Sequence, residues 1–350
     1  MTPPAVTASF RDIPVDVLRG LAIAIMVAAN LVPSLLLPPA PFLLRLLSSV
    51  AAPLFIFISG MMVALSCGRK DYPFSYFLVR GGIMAGIAAA LDLFARGMVP
   101  FVGADVLYLI GLSLPLAYLV LRAGPRLRCP VIASVLLAAP LLQYAFGYGE
   151  LPLQLPAVPF PSSPSCEGIF RQWLIEGWFP LFPWLAVSLL GAHAGTLRWT
   201  GGRVRSFARP EIVCIACGLL ASGAVLWYLL PGAMYVRYGY VELFYPPTVG
   251  FVLAVIGLIF ALFIAADLLP VSCRWSGPLR AMGECSLAIY ILHSVIIEVF
   301  GRYVSPVPLP LFGAGYLLLI GGMIGVAYSL RYLRKRVKTR STLLRMLIGG

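Results

Sequence analysis

Apolar residues in this chain fall into long blocks, and polar residues collect in the short intervals between them. Ten blocks approach the ~20 residues that a helix needs to cross a bilayer core. They lie at about 17–37, 49–67, 76–95, 105–122, 129–148, 177–197, 211–231, 247–269, 281–300 and 308–330. No soluble domain, low-complexity tract or short repeat interrupts them. The pattern predicts an all-α fold, a polytopic transmembrane helical bundle of about ten helices. One transmembrane domain is expected over residues 1–350, ending in a short basic tail at 331–350.

The positive charges orient the bundle. With the N-terminus in the cytoplasm, all but five of the 26 Lys and Arg fall on the inner side, the exceptions being Arg45, Arg96, Arg171, Arg237 and Arg302. Alternate loops are basic throughout, as the positive-inside rule requires. Both termini are therefore expected in the cytoplasm, with the chain multi-pass in the cytoplasmic (inner) membrane. The tail "RYLRKRVKTRSTLLR" either holds this topology against anionic lipid or gathers an anionic substrate.

Composition agrees with the blocks. Hydrophobic residues make up 61% of the 350 and charged residues 11%, with a mean hydropathy of +0.95; soluble domains carry about 25% charged residues. The net charge of +13 is explained by the inner loops, and nucleic acid is not expected as a partner. Residues 1–14 are polar, and the run behind them is too long for a removable leader. The seven cysteines form no disulfide framework, and Cys214 and Cys217 lie in an apolar helix where packing is favoured over metal. No metal site is predicted.

Some polar groups lie where lipid makes them costly. Asp16 and Arg19, three apart, share a face at the start of the first block and can pair. Asn30 follows eleven residues later, ~16 Å further along a helix and on nearly the same face. In "GECSLAIYILHSVIIEVF" Ser286, Tyr290 and His293 form one stripe. His293, one of only two histidines, is placed ~18 Å from the helix start at 281, which matches the depth of Asn30. Histidine suits proton transfer near neutral pH, and ionisable residues inside membranes mark functional sites. Interhelical hydrogen bonding is the structural alternative for Asn30, as satisfied burial is for His293.

His193, in "SLLGAHAG", is expected near the inner end of the sixth block, among small residues that admit a close neighbour. Asp92 has Arg96 four residues on. The outer loops at about 149–176 and 232–247 mix aromatic residues with Glu150, Glu167, Glu176, Arg171, Arg237 and Glu242. Such a mixture suits either sugar binding or an interfacial aromatic belt.

Several stretches together resemble the heparan-α-glucosaminide N-acetyltransferase-like family within the wider acyltransferase-3 group. They are "VDVLRGLAIAIMVAAN" (15–30), "AAPLFIFISGMMVAL" (51–65), "DVLYLIGLSL" (105–114), "FPLFPWLAVSLLGAHAG" (179–195) and "GECSLAIYILH" (283–293), in the family's order. The resemblance implies a membrane acyltransferase. It would move an acetyl or other short acyl group from acetyl-CoA, bound from the cytoplasm, to a hydroxyl or amine of a glycan or lipid-linked sugar acceptor. It carries over Asp16, Arg19, Asn30 and His293. His293, Asn30 and Tyr290 are the expected catalytic residues, and Arg19, Asp16, His193 and Ser286 the residues expected to hold acyl-CoA.

One departure stands out. The family's key His lies about eleven residues beyond the Asn; here that position is Pro41, with no His nearby. Either His293 takes the proton, or positioning carries the catalysis, or activity is lost. The rival reading is a transporter or flippase-like protein for a lipid-linked sugar or small solute, because polar lines down helices also suit a permeation path.

Overall fold

The computed structural model describes residues 11–146, 165–230, 243, 247–269, 276–336, 341–347 and 349. The helices are α1 (Ile13–Leu35), α2 (Phe42–Arg69), α3 (Phe74–Ala90), α4 (Val106–Arg122), α5 (Pro125–Ala145), α6 (Cys166–Arg171), α7 (Leu181–Arg198), α8 (Pro210–Leu229), α9 (Val249–Leu268), α10 (Ser276–Glu284), α11 (Ser286–Gly301), α12 (Leu309–Arg336) and α13 (Thr342–Leu347). Two π turns, Leu91–Arg96 and Gln172–Glu176, extend α3 and α6. The short antiparallel pair Trp199–Thr200 and Arg203–Val204 is the one sheet among the described residues.

This is an all-α polytopic membrane protein. Among the described residues, seven helices are long and apolar enough to cross a membrane, or up to nine when each of two bent pairs counts as one span. Each expected block falls on a helix, but three differ from simple spans. The block at 105–122 is α4, an apolar helix of only 17 residues. The block at 177–197 follows a bent partner, Cys166–Glu176, at 46°. The block at 281–300 is broken at Cys285 by 86°.

Residues 166–176, expected as outer loop, are helical for local reasons. Ser165 Oγ accepts from Gly168 N (3.1 Å) and caps the start. Arg171 Nε donates to Glu176 Oε1 (2.8 Å), a spacing of five that matches the π turn. The remainder of the expected outer-loop sites, Glu150, Arg237 and Glu242 among them, lies outside the described residues.

Packing divides the chain into two units, with α2 shared at Phe55 and Ile56. The first contains α3 to α8, most of α9 and the second half of α2. Its α3 lies along α4, and α7 packs on α4 and α5. Val63, Phe77, Tyr118, Leu185 and Leu189 form one of its apolar clusters. Close approach of α7 to α2 depends on small residues: a Cβ on Gly191 would sit 2.0 Å from Phe57 O. Arg198, which sequence assigns to a basic loop, is fully buried against the rings of Phe207 and Phe263, at 5.1 and 5.6 Å.

Two buried carboxylates share one guanidinium in this unit. Arg96 Nη1 meets Asp92 at 3.0 Å and Asp105 at 2.8 Å, and Tyr108 Oη donates to Asp92 Oδ2 (2.7 Å). Sequence spacing gives the Asp92–Arg96 pair but neither Asp105 nor Tyr108. The phenol adds a second donor to Asp92 beside the guanidinium. Tyr108→Phe is expected to cost about 1.5–3 kcal/mol, the range for a hydrogen bond to a charged group, read as lower thermal stability in detergent.

The second unit contains α1, the first half of α2 and α10 to α13. Its core clusters Leu31, Val32, Leu36, Ile297 and Phe312. Asp12 caps α1 by accepting from Val15 N (3.4 Å), and α1 packs on α10, α11 and α12. Tyr316 Oη of α12 donates to Ala24 O (3.0 Å), which fixes the register between them.

Candidate active site

Two glycines bring α1 and α10 into backbone contact. A Cβ on Gly20 would lie 1.9 Å from Leu279 O, and one on Gly283 would lie 1.9 Å from Asp16 O. No side chain fits at either crossing. Arg19 Nη1 reaches Gly283 O at 3.4 Å and Asp16 Oδ1 at 3.9 Å. The Asp16–Arg19 pair thus exists, and its guanidinium also satisfies a carbonyl at the end of α10.

Beyond this anchored end the backbone leaves helical geometry at Cys285 (φ −106°, ψ 27°) and restarts at Ser286. This corrects the expectation of a continuous helix from 281. His293 lies seven residues, ~10 Å, along α11 from its start, rather than ~18 Å along one straight span. The turn follows directly after Gly283, whose carbonyl accepts from Arg19.

Asn30 and His293 nevertheless meet. Asn30 Nδ2 lies 3.0 Å from His293 Nε2, and His293 Nδ1 lies 3.2 Å from Ile289 O. A carbonyl only accepts, so Nδ1 carries the proton and donates to Ile289 O. The Nε2 lone pair is then bare and accepts from the Asn30 amide. The pair therefore holds a neutral imidazole in one defined tautomer, the form a general base needs. His293 is fully buried while Asn30 is half-buried, so Asn30 is the more accessible member. Asn30 also keeps a second N–H to offer.

Tyr290 packs against His293 edge-on, with ring centroids 5.0 Å apart, and so restrains the imidazole plane by contact. Ser286 opens α11 and is half-buried. Asp16 and Arg19 form their own group with Gly283. His193 belongs to the other packing unit, on α7; its Nδ1 is buried without a hydrogen-bond partner, and its carbonyl accepts from Thr196 Oγ1 (2.7 Å). Pro41 lies in the connection before α2, where it offers no base.

One cluster escaped sequence reading. The Glu284 carboxylate, fully enclosed, is met by Arg280 (3.1 Å), Arg331 (3.1 Å) and Arg334 (3.0 Å). Only Arg280, four residues away, left a signal in the sequence. Among the described residues no three His, Cys, Asp or Glu gather as metal ligands.

The fold defines a helical membrane protein that holds a fully buried histidine against an asparagine amide. Residues 11–230 match the heparan-alpha-glucosaminide N-acetyltransferase catalytic family. The chain belongs to that family, whose members are membrane acetyltransferases. The matched span contains Asp16, Arg19, Asn30 and His193, and ends before Ser286, Tyr290 and His293. A comparison with curated proteins gives no match.

Proposed function

We propose that this chain is an integral-membrane acetyltransferase. It moves the acetyl group of acetyl-CoA, taken up from the cytoplasmic face, to a hydroxyl or amine of a sugar or glycan, and it sits multi-pass in the inner membrane. The reading extends the family assignment with the wider acyltransferase-3 resemblance. The observation that supports it most is the 3.0 Å contact between Asn30, inside the family match, and His293, beyond it.

The chemistry follows from the two side chains. The acceptor oxygen or nitrogen attacks the thioester carbonyl, the C–S bond breaks, and CoA leaves as a thiolate that takes up the proton His293 received from the acceptor. His293 Nε2 receives the acceptor's proton, a role worth about 10²–10⁴ in rate. Asn30 releases Nε2 as the acceptor arrives and directs N–H to the developing oxyanion, worth ~3 kcal/mol for one such donor. After proton transfer a rotated Asn30 amide accepts from Nε2–H through Oδ1. With Pro41 in place of the family's His, His293 carries the proton alone. An amine acceptor suits this arrangement better than a hydroxyl, because a neutral amine attacks with less help from a base.

The test uses purified protein and labelled acetyl-CoA with a panel of amino sugars and neutral sugars. Label is expected on an acceptor. Acetyl-CoA at a hundredfold excess over Kd should also stabilise the fold by about 2.7 kcal/mol. Absence of both transfer and stabilisation would overturn the proposal. Solute uptake into proteoliposomes without acyl-CoA would point to the transporter instead.

A further inference from the structure

The arginines around Glu284 exceed what that carboxylate can neutralise. Arg280 uses Nε on Oε1, Arg331 uses Nε on Oε2, and Arg334 divides Nη2 and Nη1 between Oε2 and Gly349 O. The adjoining Arg19 is paired with Asp16 at 3.9 Å. Among the described residues, Glu284 is the one carboxylate that these three arginines meet. Guanidinia gathered on one carboxylate repel one another. Packing alone is served by a single partner for Glu284.

The free edges of this cluster are oriented. Because Arg280 and Arg331 turn the Nε edge of the guanidinium to Glu284, the Nη1 group and the outer N–H of Nη2 of each face away from it. Those N–H groups have no hydrogen-bond partner among the described residues, and the side chains are 32% and 27% exposed. Two forks are braced from behind on a buried anion and open in front. A phosphate supplies the missing charge and accepts from forks of this shape.

We propose that Arg280 and Arg331, braced on Glu284, form a binding site for a phosphate ester. Two sources share this chemistry: the phosphates of the CoA moiety, which rests on the function proposed above, and the phosphodiester headgroup of an anionic lipid. The cluster lies beyond the residues that match the family.

The experiment takes the full chain in phosphatidylcholine nanodiscs and compares it with Arg280→Gln/Arg331→Gln, in which Arg334 still holds Glu284. Affinity is measured for acetyl-CoA and for acetylpantetheine, which lacks phosphate; retention of phosphatidylglycerol is read by native mass spectrometry. For a CoA site, acetyl-CoA should bind about tenfold or more weakly in the variant, with acetylpantetheine unchanged. For a headgroup site, phosphatidylglycerol retention falls and acetyl-CoA binding stays. A well-folded variant unchanged in both arms overturns the proposal. If the double variant does not fold, Arg331→Gln alone, which leaves Glu284 two partners, is judged by the same criterion. Wild-type protein that binds no acyl-CoA, yet loses phosphatidylglycerol on substitution, keeps this site and ends the acetyltransferase reading.

Discussion

Acetyl transfer by His293→Ala is expected to fall by about 10²–10⁴-fold, with the larger part in kcat. The side chain is fully buried, and its tautomer is set by Ile289 O. Asn30→Ala should lose less, about the ~3 kcal/mol of one oxyanion donor. The two side chains touch at 3.0 Å, so the losses should not add in the double variant. Asn30→Ala also leaves the imidazole free to turn, a second route to lower kcat. Turnover of well-folded His293→Ala within a few-fold of wild type would remove the histidine from the chemistry.

Gly283→Ala is expected to abolish stable folding, at a cost above about 3 kcal/mol. The new methyl would enter at 1.9 Å from Asp16 O, a main-chain atom that no rotamer change can move aside. Relief requires α1 and α10 to separate, which takes Arg19 away from Gly283 O and disturbs Gly20 against Leu279. Gly321→Ala on α12 is the control, since nothing lies within 4 Å of its added methyl. There, Ala should be neutral or stabilise by up to about 1 kcal/mol through helix propensity. Equal melting temperatures for the two variants would show that the α1–α10 crossing is not tight.

Much of the architecture was legible because lipid imposes a length. An apolar block must reach ~20 residues to cross, so hydropathy alone locates helices at all ten blocks. The breaks were not legible. The apolar run continues through Cys285 and does not mark the 86° turn there, and the contact of Arg19 with Gly283 joins residues 264 apart in the chain. Hydropathy also carries no trace of the two packing units. Asn30 and His293 could be paired from sequence because polar groups are scarce inside apolar blocks and each stands out. Glu284 could not be understood that way, since two of its three arginines arrive from the far end of α12.

The elbow at Cys285 bears on how much lipid separates the two reactants. A helix pair bent by 86° sends only one arm across a bilayer, so when α11 runs along the membrane normal, α10 lies nearly in its plane. The 16 residues of α11 span ~24 Å, several ångströms less than a ~30 Å hydrocarbon slab. Lipid beside so short an arm matches it by thinning or by snorkelling of the flanking residues. In the acetyl transfer proposed above, a donor and an acceptor that meet at the Asn30–His293 pair would then have correspondingly less lipid between them.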